Sequence, residues 1–257
     1  SRSGRGARVS LTSGATTGEQ GGDVTLQSGG VGVEGVSGKV TIESSDALAL
    51  SDSGVVAIQT GSSSRGHTGS LALRTGSSTL GASGAVTIAA RSSATTGGNV
   101  DVVTGTGRAS GSLNLASSSA VGRTALSGDV SLRSGSSDEN SGSVDILTGD
   151  ALGDSGSVLL TTGSTQSGQS GSMLLHTGDS DTASAGSVSF AVGQSSSGTG
   201  GSLTMVGGQS SIGDGGNVNV VSGGSASFSS GDVRIATADS SGVDSSSSGA
   251  ISLRTGT

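Results

Sequence analysis

The residue types that could do chemistry in this chain are few: His67, His176, a thin scatter of carboxylates and many serine hydroxyls. His67 and His176 stand far apart, and with no Cys in the sequence neither has the neighbours that a metal site or an acid–base pair requires. Asp138 and Glu139, Asp150 and Asp154, and Asp179 and Asp181 fall in separate polar segments, without the Gly-Gly-x-Gly-x-Asp spacing that turns carboxylates onto calcium. Asp101 and Asp145 would need long excursions to wall a cleft around them, and no segment here is long enough. The serines have no paired base, so a nucleophile is not expected. The glycine-rich segments lead into no helical pattern and do not read as phosphate loops. The residues therefore predict no enzyme, no metal and no cofactor.

The elements that carry these residues follow one repeated plan. An apolar anchor returns seventeen times, at Val9, Val24, Val40, Val56, Leu71, Val86, Val100, Leu113, Val130, Val144, Val158, Met173, Val188, Leu203, Val218, Val233 and Ile251. Successive anchors are 13 to 18 residues apart, usually 15. The unit is thus conserved while the segment between units absorbs small insertions. Two residues after each anchor the chain is again apolar, as at Leu11, Ile42, Phe190 and Met205. Four after it stands Thr or Ser in most copies, and two before it Gly in all but the first, which has Ala7. Apolar residues on one parity and polar ones on the other are the period of a half-buried strand, not of a helix.

The intervening segments, such as 61–68 and 163–170, are small, polar and glycine-bounded, and read as arcs with positive-φ glycines at their ends. A strand of about six residues cannot bury one apolar face alone, so each copy is expected to lie on the next. The fold class predicted is all-β: a β-solenoid of about seventeen 15-residue strand-arc repeats. One repeat could make a whole turn, or two repeats could share a turn and form two packed parallel sheets. The second is favoured, because the Ser/Gly segments lack the alternation that a returning wall needs, whereas two sheets give each anchor an apolar partner. Leu50, Leu80, Leu152 and Ile212, each six residues before an anchor, and Phe228, five before one, are expected to tuck into the end of the core.

Composition restricts the function classes. The chain has 257 residues with 50 Gly, no Pro, Cys, Trp or Tyr, and only Phe190 and Phe228 as aromatics, which is not the makeup of a compact globule. A net charge of −7 disfavours nucleic acid and anionic membrane surfaces as partners. No apolar run reaches the roughly eighteen residues of a membrane span. Ice binding by an outward threonine rank is disfavoured, because the position after the anchor, threonine at Thr25 and Thr41, becomes Ala57, Ala72 and Asp101. From the tenth copy onward the outward parity instead carries Leu147, Leu159, Leu174, Val206 and Val221, an apolar set expected to form a lateral contact. The array is expected to run without caps over residues 1–257, as a segment of a longer one, with open ends that pair with further copies. Ser and Thr in the arcs offer acceptors for O-linked glycans.

The unit Ser-Gly-Ser-Val-x-Leu-x-Thr-Gly, met in full at 155–163 and with one departure each at 141–149 (Ile146) and 170–178 (Met173), resembles the Ser/Gly/Thr-rich tandem-repeat regions of large extracellular structural proteins of stramenopile algae and oomycetes, of the mastigoneme or cell-surface type. The resemblance covers the whole chain. It implies an extracellular or cell-surface role and supplies no catalytic residues. Together these readings predict a non-enzymatic structural repeat protein that builds a filament or surface layer by stacking and lateral association. The alternative is a module that binds ice or glycan through one flat β face.

Overall fold

The computed structural model describes residues 6–18, 20–32, 34–48, 51–120, 126–240 and 247–256. The chain divides into two units, Ser1–Leu132 and Arg133–Thr257. Leu50, the ends at residues 1–5 and Thr257 lie outside the described residues.

The all-β expectation is overturned. Among the described residues no segment forms a strand or a helix, so there is neither a β-solenoid nor a pair of packed parallel sheets. No described side chain, apolar or polar, is buried. The total accessible surface is 26401 Å². A compact chain of this mass would expose about 10,000 Å² and an unfolded one about 35,000 Å², so the observed value lies nearer the unfolded end. The physical reason is composition. Two apolar residues in about fifteen offer little burial to set against the ordering of a backbone rich in Gly and Ser, which loses the most freedom on folding.

What the sequence does build, in each unit, is a succession of closed arcs. The chain bends sharply at 64–66, 79–81 and 107–109 in the first unit, and at 166–168, 181–183, 196–198, 211–213 and 226–228 in the second. Seven of these arcs share one tie, in which the side-chain oxygen eight residues before an anchor accepts from the backbone N–H three residues on. The pairs are Ser63 with Gly66, Ser78 with Gly81, Thr165 with Gly168, Ser180 with Ala183, Ser195 with Gly198, Ser210 with Gly213 and Ser225 with Phe228, at 2.9 to 3.2 Å. This is the local bond by which Ser and Thr compete with regular secondary structure.

Among the described residues five arc mouths are closed by backbone bonds. The N–H of the glycine before an anchor donates to the carbonyl of the glycine five residues after the preceding anchor, in Gly22 to Gly14, Gly38 to Gly29, Gly111 to Gly105, Gly216 to Gly208 and Gly231 to Gly223, at 2.8 to 3.2 Å. Ser13 Oγ and Ser28 Oγ add bonds of 2.7 Å to the carbonyls of Gly22 and Gly38. The glycine before each anchor faces the residue four after the preceding one: a methyl group on Gly156 would stand 3.4 Å from Thr148, on Gly186 3.4 Å from Thr177, and on Gly201 2.5 Å from Val192. Close approach excludes a side chain at Gly201 and crowds one at Gly22, Gly38, Gly98 and Gly216, while the other glycines of this rank would meet ordinary contacts. The partner is in most repeats a side chain of the preceding repeat, not the backbone of a stacked neighbour. The positive φ expected at arc ends occurs among the described glycines only at Gly35, at 123°.

Candidate assembly surface

The apolar rows keep their parity without gaining a core. In the repeat beginning at Val144, the anchor is 47% exposed and the outward Leu147 82%. Leu159, Leu174, Val206 and Val221 likewise stand more exposed than the anchors of their own repeats. Alternation thus survives as a difference in exposure along an extended backbone, and all five residues expected to make lateral contacts are free surface. They lie in Arg133–Thr257, spread over five repeats.

The most sheltered positions are elsewhere. Apart from Ala47, the half-buried residues are Ser13, Ser28, Ser44, Thr104, Thr177, Gly207 and Ser222, each four residues after an anchor and each at an arc mouth. Small polar residues occupy the interior of these closures and apolar residues the outside, the reverse of a globular protein.

The arc-tip residues do not tuck into a core. Leu80, Leu152, Ile212 and Phe228 are exposed at the bends, Phe228 at 88%.

An apolar recess forms among the described residues. Phe190 on one side of an arc, and Leu203, Thr204 and Met205 on the other, line a space of about 250 Å³. Its walls are positioned by the arc between them, which is tied at the bend by Gly198 N–H to Ser195 Oγ at 2.9 Å and crowded at its mouth where Gly201 meets Val192. The sequence marks Phe190 as one more apolar residue two after an anchor. That it faces the next repeat depends on closure of the arc, for which the recurring hydroxyl eight residues before the anchor was the available signal. A second, larger space of about 550 Å³ is lined by Thr87, Ala89, Ala90, Arg91 and Ser92, all from one repeat.

The residues with chemistry remain apart. His67 and His176 are exposed, and His176 Nδ1–H donates to the Thr177 carbonyl at 3.0 Å. Asp145 accepts from Ser143 Oγ at 3.3 Å. Asp101, Asp138, Glu139, Asp150, Asp154, Asp179 and Asp181 are exposed. Among the described residues no three His, Cys, Asp or Glu side chains gather closely enough to hold a metal ion. No helix there is long and apolar enough to cross a membrane. The flat β face that an ice- or glycan-binding module would use is not formed by the described residues. In comparisons with known proteins, no family model, no curated protein and no solved structure matches the chain.

Proposed function

We propose that this chain is a structural, non-enzymatic component of an extracellular filament or surface layer, and that it works by associating with further copies of itself. The observation that carries this reading is an apolar pair in every repeat with nothing packed over it, on a chain that exposes 26401 Å². That surface exceeds the compact expectation by about 16,000 Å², several times what even a large obligate interface buries. Exposed apolar area on this scale favours partners, and a tandem array offers a second copy the same spacing of apolar residues along its whole length. The resemblance of the Ser/Gly/Thr-rich repeat to algal and oomycete surface repeats supports the extracellular placement. Exposed hydroxyls in the arcs are the proposed acceptors for O-linked glycans, which would keep the arc side of an assembly hydrated.

Sedimentation and electron microscopy of the purified chain over a concentration series test the proposal. Concentration-dependent filaments or sheets are expected. A triple variant, Val144→Ser, Val158→Ser and Met173→Ser, should raise the concentration needed for assembly by at least about a thousandfold, because each anchor loses about 1.5–3 kcal/mol of apolar burial. An expanded monomer at every concentration would overturn the reading.

A further inference from the structure

The recess at Phe190, Leu203, Thr204 and Met205 has no charged residue in its lining. An uncharged recess walled by an aromatic ring and a thioether accepts an apolar side chain, an aromatic one best, through ring–ring and sulfur–ring contacts. The described arc tips offer four such side chains. Leu152 lies between Asp150 and Asp154, and Ile212 lies two residues before Asp214, so seating either would bring carboxylates toward the apolar walls. Leu80 and Phe228 sit in uncharged arcs, and of the two only Phe228 is aromatic. Its backbone N–H is held by Ser225 Oγ at 2.9 Å, which fixes the tip from which the ring projects. The ring is 88% exposed, so the recess of its own chain does not hold it.

We infer that Phe228 of one copy seats in the Phe190–Leu203–Met205 recess of a second copy. This rests on the self-association proposed above and names the contact within it. Knob and recess are different surfaces of the same chain, so the contact is heterologous: each copy that donates its ring still has a free recess, and copies add head to tail, as an open filament unless the rotation between them closes a ring. Each of the two arcs carries one side-chain tie at its bend, Gly198 to Ser195 and Phe228 to Ser225.

The absence of native Cys makes a crosslinking test direct. Full-length Ser227→Cys chains, with Phe228 intact, are mixed with full-length Thr204→Cys chains and oxidised under assembly conditions. Disulfide heterodimers are expected in at least several-fold excess over either homodimer. Adding Phe228→Ser to the Ser227→Cys chain should remove that excess, while adding Leu80→Ser should leave it unchanged. A random distribution of dimers, or an excess indifferent to Phe228→Ser, overturns the inference while filaments of the unmodified chain leave self-association standing. An unmodified chain that stays monomeric overturns self-association itself, and this contact with it.

Discussion

The arc mouths and the apolar rows follow the same fifteen-residue period and end in opposite states. At the mouths, Ser, Thr and Gly are half-buried and tied by backbone bonds such as Gly216 N–H to Gly208 O at 2.8 Å. In the rows, Val, Leu, Ile and Met stand open along the extended backbone. The mouths need only residues about ten apart in sequence, so their closure entropy is small. The rows need a second layer, and one chain of this composition does not provide it. Local order is thus encoded within each repeat, and apolar burial is not.

Breaking a mouth on steric grounds should have the largest effect on this contrast. A methyl group on Gly201 would stand 2.5 Å from Val192, whereas one on Gly193, at the other end of the same arc, meets nothing within 4 Å. Gly201→Ala should destabilise closure by about 1–3 kcal/mol, as overpacking does, and Gly193→Ala should be close to neutral. The check is the cross-peak between the Val192 methyls and residue 201 in nuclear magnetic resonance spectra, lost in the first variant, retained in the second and restored by Gly201→Ala with Val192→Ala.

Gly35 comes next. At φ 123° it holds a conformation that side-chain-bearing residues rarely adopt. Gly35→Ala should cost about 1–2 kcal/mol in that arc alone, read as faster amide exchange at Gly38, whose N–H is bonded to the Gly29 carbonyl. The neighbouring mouth at Gly22 should not change.

The smallest effect is expected from a single arc tie. Ser195→Ala removes the acceptor for Gly198 N–H at an exposed bend and should weaken closure by about 0.5–1.5 kcal/mol. Exchange at Gly198 should then rise by up to about tenfold, with the other arcs unaffected. A rise spread along the whole unit would show that the arcs are cooperative, and would erase the distinction between self-sufficient mouths and dependent rows.

Parity, anchor positions and arc positions were legible in the sequence, because period two and glycine punctuation are local properties. The exposure difference between Val144 and Leu147 agrees with that parity. The sheet was not legible, since alternation says which side of an extended segment is apolar and nothing about whether a second layer lies over it. The glycine before each anchor was visible as a rank. Its partner, the Thr or Ser of the preceding repeat, could be identified only once the arc was seen to close, as Gly156 shows against Thr148. The Phe190–Met205 recess was hidden for the same reason, because it joins residues from the two sides of a bend. The five outward residues from Leu147 to Val221 were readable as apolar surface, and the structure places them there.

The mouths close with arcs of unequal length: Gly105 to Gly111 and Gly29 to Gly38 make the same bond across different numbers of residues. A genetic slip that lengthens one arc, or that adds or deletes a whole repeat, therefore leaves every other closure as it was. Repeat number in such a chain is free to drift under replication error and selection, and the reach of whatever it builds can be tuned by gene length without a new fold having to be found.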